Sequence, residues 1–149
     1  MRRREFLQST AFMGVSFFLK KEPFFLRHWN LKGNWLNNQE KETKTHEVFF
    51  SIIEKALKED WASLPINECM GEIATLFIGT EYVGGTLEGK GPEICRVDLT
   101  GLDCVTFFEN VLCLARILKK GKTSYDDFIA ELTFTRYRKG VLTDYTSRL

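Results

Sequence analysis

Gly101-Leu102-Asp103-Cys104-Val105-Thr106-Phe107-Phe108-Glu109 is the stretch on which the reading of this chain turns. Glycine and aspartate close an irregular segment, and apolar residues then return at helical spacing. Val105, Phe108, Leu112, Ala115 and then Leu118 or Lys119 fall on successive turns of one face. Asp103 is a candidate N-cap, and the helix it opens is expected to run to about Lys119 and to end at Gly121. Cys104 therefore sits in a first helical turn. A thiol there faces unpaired N–H groups and the positive end of the helix dipole, which favour the thiolate, the nucleophilic form. The bland alternative is a cysteine that merely packs beside a cap.

Working outward, the upstream sequence reads as two more helices. Val48, Phe49, Ile52, Ile53, Ala56 and Leu57 recur at three- and four-residue steps from about Thr45. A second helix follows, with Ser63 as candidate N-cap and Pro65 within its first turn. Ile66, Met70, Ile73 and Phe77 form its expected buried stripe, and Gly79 is placed as the residue just past its end. Tyr82 to Glu88 is a glycine-bearing loop or short strand, and Glu93 to Leu99 alternates enough to suggest a strand. Downstream, a short helix is expected from Tyr125 to about Phe134, capped by Thr123 or Ser124, before a basic tail from Arg136 to Leu149 without periodicity. Residues 23–44 read as linker and irregular lead-in, and 45–149 as one domain. That inventory is short of strands, and an isolated hairpin is marginal in water.

Composition narrows the function classes. At 149 residues the chain holds one domain at most, and 44% apolar content argues against disorder. Lys and Arg number 21 against 20 Asp and Glu, so global charge gives no reason to expect nucleic acid or anionic lipid as partner. Arg2-Arg3-Arg4-Glu5-Phe6-Leu7, followed by the apolar run Ala11 to Leu19 and Lys20-Lys21, resembles a twin-arginine export signal, so residues 1–22 are expected to direct export to a bacterial periplasm or cell envelope. The apolar run is too short for a transmembrane span, which needs roughly twenty residues. Four cysteines (Cys69, Cys95, Cys104, Cys113) are compatible in number with two disulfides in such a compartment. Their spacing matches no zinc pattern, so no metal and no cofactor is expected. Cys69 and Cys113 fall in apolar periodic stretches, as buried small hydrophobes would.

Two segments together carry a resemblance: Ile78-Gly79-Thr80-Glu81-Tyr82-Val83-Gly84-Gly85-Thr86-Leu87-Glu88, and then Asp103-Cys104-Val105-Thr106-Phe107-Phe108-Glu109. Gly-x-x-Tyr-Val-Gly-Gly followed by Asp-Cys at a helix start resembles the papain-like NlpC-type cell-wall cysteine peptidases. The longer wording, with Arg136-Tyr137-Arg138-Lys139-Gly140 and Ser147-Arg148-Leu149 further on, resembles their N-acetylmuramoyl-L-alanine amidase-like branch. The likeness spans roughly Ala56 to Leu149.

The resemblance implies an α+β, papain-like NlpC-type fold, of which this chain would supply the N-terminal helical half with the catalytic helix. It implies a cysteine amidase that cuts the N-acetylmuramoyl–L-alanine amide of muropeptides, with Cys104 as nucleophile. Tyr82 would line the site, Gly84, Gly85 and Thr86 would form the substrate loop, and Asp103 would act as cap and polar contact. Glycines there let a backbone approach a ligand closely, and a phenol or the Cys104 N–H can donate to a developing oxyanion. The negative charge of Asp103 works against thiolate formation, so an imidazole partner is expected to be the larger influence. The chain has only His28 and His46, both upstream of Cys104, whereas the family order places the histidine after the cysteine. A C-terminally truncated and inactive member is therefore expected, with most of the core sheet lying beyond Leu149. Two other readings compete: a non-catalytic, muropeptide-binding remnant, and an endopeptidase cutting at a D-glutamyl bond of the stem peptide. Arg136 and Arg138 are weaker candidates for holding a substrate carboxylate; the default reading is charged surface.

Overall fold

The computed structural model describes residues 24–149, with side chains from Asn38 onward. The export-signal-like segment 1–22 and the side chain of His28 lie outside the described residues. The chain divides into Met1–Asn34 and Trp35–Leu149, and every side-chain contact described below lies within the second unit. In order, the elements are α1 (Phe24–Lys58), α2 (Ile66–Thr75), β1 (Glu81–Tyr82), β2 (Gly101–Leu102), α3 (Cys104–Lys119) and α4 (Tyr125–Arg136). Two 3-10 turns, Arg138–Gly140 and Tyr145–Ser147, complete the series. The architecture is α+β in outline: mainly helical, with one two-stranded parallel sheet. No helix among the described residues is long and apolar enough to cross a membrane.

α3 is the central helix, packed on α2 and on α4. From Val111 onward its Val111, Cys113, Leu114, Ala115, Ile117 and Leu118 are buried. They meet Cys69 and Ile73 of α2, Phe128 and Leu132 of α4, and Phe49, Ile52, Ile53 and Ala56 of α1 in one core. Phe49 stacks on Phe128 with ring centroids 5.3 Å apart, which fixes α1 against α4.

The helix ends follow local chemistry. Gly121 takes φ +68° and its N–H donates to Leu118 O, while the Lys122 N–H reaches Ile117 O, a Schellman end that stops α3 as expected. α1 ends the same way around Asp60, at φ 52°: Asp60 N–H donates to Leu57 O and Trp61 N–H to Ala56 O. That end drops the Trp61 ring into the core. Ser124 caps α4, its Oγ accepting the Asp127 N–H at 3.1 Å.

Several expectations need correction. α1 begins at Phe24, so the lead-in read as irregular is helical there; nothing in its sequence after Pro23 forbids a helix, although its polar, asparagine-rich composition hid the pattern. Leu57 is exposed, whereas its neighbours at Phe49, Ile52, Ile53 and Ala56 are buried. Ser63 does not cap α2: its Oγ donates to Asp60 O at 2.8 Å and closes the preceding turn, leaving Pro65 at the cap position. The buried side of α2 is Cys69 and Ile73, continued past its end by Phe77, with Ile66 exposed, because that side packs on the apolar residues of α3. Gly79 adopts φ +88°, yet it ends a turn that continues past the α2 C-cap at Leu76. Glu93 to Leu99 is not a strand: its polar groups bond to side chains from the tail and from α1 instead of to a neighbouring strand.

The apolar face of α3 also splits. Ala115 and Leu118 are buried and Leu112 is half-buried, but Val105 and Phe108 at the N-terminal end are 57% and 55% exposed. The helix is thus buried where the apolar residues of α1, α2 and α4 meet it, and its apolar side chains beside Cys104 are open.

Candidate functional site

Asp103 sets the geometry of the site. Its φ of −98° and ψ of −179° bring the chain in extended, and its Oδ1 accepts the N–H of Val105 at 3.1 Å and of Thr106 at 2.8 Å. The Thr106 hydroxyl in turn accepts the Asp103 N–H at 2.9 Å, a reciprocal capping box with threonine in the position usual for glutamate. The N–H of Phe107 donates to Asp103 O at 2.9 Å. Of the first-turn donors, the Cys104 N–H makes no hydrogen bond to a described residue. It is the donor of that turn left for a ligand. The Thr106 N–H, first among several donors, holds the Asp103 carboxyl below the usual carboxylate range, so the cap is an anion at neutral pH.

Cys104 is exposed, while Cys69 and Cys113 are buried and Cys95 is half-buried; all four are free thiols. The disulfides that their number would have allowed do not form among them. Burial pushes Cys69 up and lifts Cys113 to about 11, which keeps both protonated and inert. A solvent-facing thiol at a capped helix start is the one arrangement of the four suited to nucleophilic chemistry.

The glycine loop is brought to the same place by the two-stranded sheet. Tyr82 pairs with Leu102 and Glu81 with Gly101, and the Val83 N–H donates to Leu102 O at 3.1 Å. A Cβ at Gly101 would lie 2.7 Å from Val83 Cγ2, so only glycine allows β1 and β2 to approach this closely. The backbone of Tyr82 therefore runs beside the residues that lead directly into Cys104. The Tyr82 side chain is 75% exposed, not packed into the core. Gly85 adopts φ +73°, and its carbonyl accepts the Glu88 N–H at 3.1 Å, turning the loop back. Thr86 is half-buried with an Oγ1 that has no hydrogen-bond partner. Gly84 has open space around it.

Arg136 is not a substrate-facing cation. It is buried: Nε and Nη2 hold Glu109 Oε2, each at 2.9 Å, and Nη1 donates to Arg96 O at 2.6 Å. Arg138 is exposed and makes no salt bridge to a described residue. His46 rests on Tyr125, ring centroids 3.9 Å apart, in α1–α4 packing, and makes no hydrogen bond to Cys104. No cluster of His, Cys, Asp and Glu able to hold a metal occurs among the described residues.

Sequence reasoning missed the polar frame behind the loop. Asp98 is buried, Lys41 pairs with it at 2.5 Å, and the Thr100 N–H and hydroxyl donate to its Oδ1 at 2.9 and 2.7 Å. Burial opposes ionisation of Asp98, but these partners outweigh it and its carboxyl lies below the ordinary value. The Thr45 hydroxyl accepts the Leu99 N–H at 3.3 Å, tying the same segment to α1. These partners are far apart along the chain, so no local spacing signals them.

Three solved structures of an N-acetylmuramoyl-L-alanine amidase from Bacteroides uniformis ATCC 8492 are similar to the chain. One is 38% identical, with a TM-score of 0.44, over 47% of this chain and 29% of that one. Another is 39% identical, with a TM-score of 0.43, over 47% and 30%. The chain thus spans under a third of the length of those amidases. No curated protein matches it significantly. Residues 72–149, which run from α2 through the loop, Cys104 and the tail, match the family model AmiA-like, N-acetylmuramoyl-L-alanine amidase-like, and the chain belongs to that family.

Proposed function

We propose that this chain carries the nucleophile half of a peptidoglycan amidase site with a papain-like, NlpC-type arrangement. The observation that supports it most is an exposed Cys104 whose N–H is free, at a helix start beside the Tyr82 strand. In this reading the thiolate of Cys104 attacks the lactyl carbonyl of an N-acetylmuramoyl–L-alanine amide. The carbonyl π electrons move to oxygen, where the Cys104 N–H and the Tyr82 phenol can donate to the oxyanion. Collapse breaks the C–N bond, and the L-alanine amine leaves on taking up the proton that Cys104 gave up in forming its thiolate, carried by a general base that the described residues do not supply beside Cys104. Water then hydrolyses the thioester, returning the thiol and the muramic carboxylate. Gly84, Gly85 and Thr86 border the substrate, the unpartnered Thr86 Oγ1 being available to one of its polar groups.

His46 rests on Tyr125 and not on Cys104, and in this proposal the base that serves Cys104 comes from a group other than the described residues of 1–149. The test is hydrolysis of a defined muropeptide by 1–149 and by a chimera in which 1–149 is joined to the remaining length of the Bacteroides uniformis amidase. The chimera is expected to release the L-alanine-bearing peptide and 1–149 is not. Turnover by 1–149 that vanishes in Cys104→Ala refutes the need for a further group. An active Cys104→Ala chimera refutes the cysteine mechanism, and cleavage only at a D-glutamyl bond replaces the amidase reading by the endopeptidase one. Export by residues 1–22 belongs to the same proposal; a reporter fused after Glu22 that stays in the cytoplasm refutes it.

A further inference from the structure

The segment joining β1 to β2 carries the glycine loop and has no strand of its own to fix it. A side chain from the far end of the sequence does so. The Arg148 guanidinium is largely buried and grips the segment in several places. Nε donates to Glu93 Oε1 at 2.7 Å and Nη2 to Glu93 Oε2 at 2.9 Å, a bidentate fork. Nη1 donates to Glu88 Oε1 at 2.9 Å, and Nη2 reaches Leu87 O at 3.0 Å. The Tyr137 hydroxyl donates to Glu93 Oε1 at 2.7 Å, and the Tyr145 ring lies 4.9 Å from the guanidinium carbon. Arg148 is itself placed by an antiparallel bridge to Tyr137 and by the Leu149 N–H, which donates to Arg136 O at 2.9 Å.

These contacts end on Leu87, Glu88 and Glu93, the downstream flank of Gly84–Thr86. The Arg148 side chain itself touches no residue of α2, α3 or α4; only the backbone beside it does, where the Leu149 N–H meets the last carbonyl of α4 at Arg136. β1 holds the upstream flank against β2, so the loop is pinned at one end by sheet pairing and at the other by the Arg148 guanidinium, with the Tyr137 hydroxyl as a second donor to Glu93 alone. A lysine cannot reproduce this, because one ammonium cannot span a fork, a second carboxylate and a carbonyl at once.

We propose that Arg148 is a positioning residue for the substrate loop: it sets where Gly84–Thr86 stand relative to Cys104 and so governs muropeptide binding. This rests on the proposed role of that loop, and the experiment separates the two. In the full chain carrying Cys104→Ala, amide exchange is followed peptide by peptide for Arg148→Lys, Glu93→Gln and Glu88→Gln. Affinity for N-acetylmuramoyl-L-alanyl-D-isoglutamine is measured in parallel. Arg148→Lys is expected to speed exchange at the Glu88 amide, the one N–H of residues 84–93 bonded to a described residue, by about tenfold or more, leaving α3 and α4 unchanged, as local opening does. The probe's dissociation constant should rise about tenfold, with smaller effects for Glu88→Gln, whose contact is the most exposed of the set.

Unchanged loop exchange in both Arg148→Lys and Glu93→Gln overturns the proposal. A uniform rise across every helix also overturns it, since Arg148 would then be a general stabiliser. Faster loop exchange with unaltered probe affinity shows a loop held for no binding purpose and overturns it as well. If the parent chain binds no probe, the substrate reading of the loop fails, while the exchange measurements still decide whether Arg148 holds it.

Discussion

Replacing Arg136 by methionine leaves the Glu109 carboxylate inside the protein without its cation. The Arg136 side chain is 3% exposed and that of Glu109 15%, so water screens the pair poorly. The substitution removes two contacts of 2.9 Å to Glu109 Oε2 and one of 2.6 Å to Arg96 O. Breaking a buried pair from one side costs about 3–5 kcal/mol, and the partial exposure of Glu109 puts this case near the lower end. With a urea m-value near 2 kcal/mol/M, the unfolding midpoint should fall by about 1.5 M.

The double substitution Arg136→Met, Glu109→Leu separates attraction from desolvation. Two apolar side chains of similar size replace the pair and leave only the Arg96 carbonyl short of a donor, a cost of about 1–3 kcal/mol. The double variant should therefore be at least as stable as Arg136→Met alone, and clearly more stable than the sum of the two single losses. Urea titrations followed by far-ultraviolet circular dichroism of the four proteins give the coupling energy. A single-variant loss under about 1 kcal/mol, or losses that simply add, would refute a buried pair that joins α3 to the end of α4.

Other expectations follow from the same contacts. Iodoacetamide should modify Cys104 first in the folded chain, with Cys69 and Cys113 reacting only after unfolding; peptide mass spectrometry gives the order, and equal rates would contradict the burial. Gly101→Ala should cost about 1–3 kcal/mol by driving its Cβ into Val83, and should raise amide exchange at Val83, the N–H bonded to Leu102. Asp60→Gly should stabilise the chain by about 1 kcal/mol by relieving a positive φ without touching the core, read as a higher urea midpoint. The depressed carboxyls of Asp103, Glu93 and Asp98 contribute stability that is fully present above their unfolded values near 4 and is lost as pH falls through the lower folded values. The midpoint should therefore decline from pH 5 toward pH 3, and Asp103→Asn should flatten part of that decline.

The helices legible in the sequence were those written in local terms. Asp103 caps α3, Gly121 ends it and Ser124 caps α4, and each of these is chemistry within four residues of the position it fixes. Where a distant partner decided, local signals failed. Ser63 has the right identity and position for a cap, but the Asp60 turn claims its hydroxyl. Glu93 to Leu99 alternates like a strand, yet Tyr137 and Arg136 take its carbonyls and Thr45 takes the Leu99 N–H. The candidate site divides along the same line. Cys104, Asp103 and the Tyr82 loop announce themselves through a cap, a helix start and a run of glycines. The frame of Arg148, Glu93, Tyr137 and Asp98 is held by long-range ion pairs whose members look like ordinary surface charges.

This division has a physical consequence for how the site behaves. Cys104 stands on a helix whose C-terminal half is locked into an apolar core, so its backbone position depends on packing that pH and salt hardly alter. The downstream flank of the glycine loop depends on the Arg148 guanidinium, the Tyr137 hydroxyl and two carboxylates, with Glu88 in water and Glu93 nearly out of it. Salt should weaken the Glu88 contact first and the Glu93 fork little, because only the exposed pair is open to screening. Cys104 and the glycine loop are therefore held by forces of different kinds, and acid should free the loop before it moves the thiol. Amide exchange measured at falling pH, after correction for its intrinsic rate, should show the Glu88 amide opening while α3 stays protected; loss of protection in both together would mean that one cooperative unit holds them.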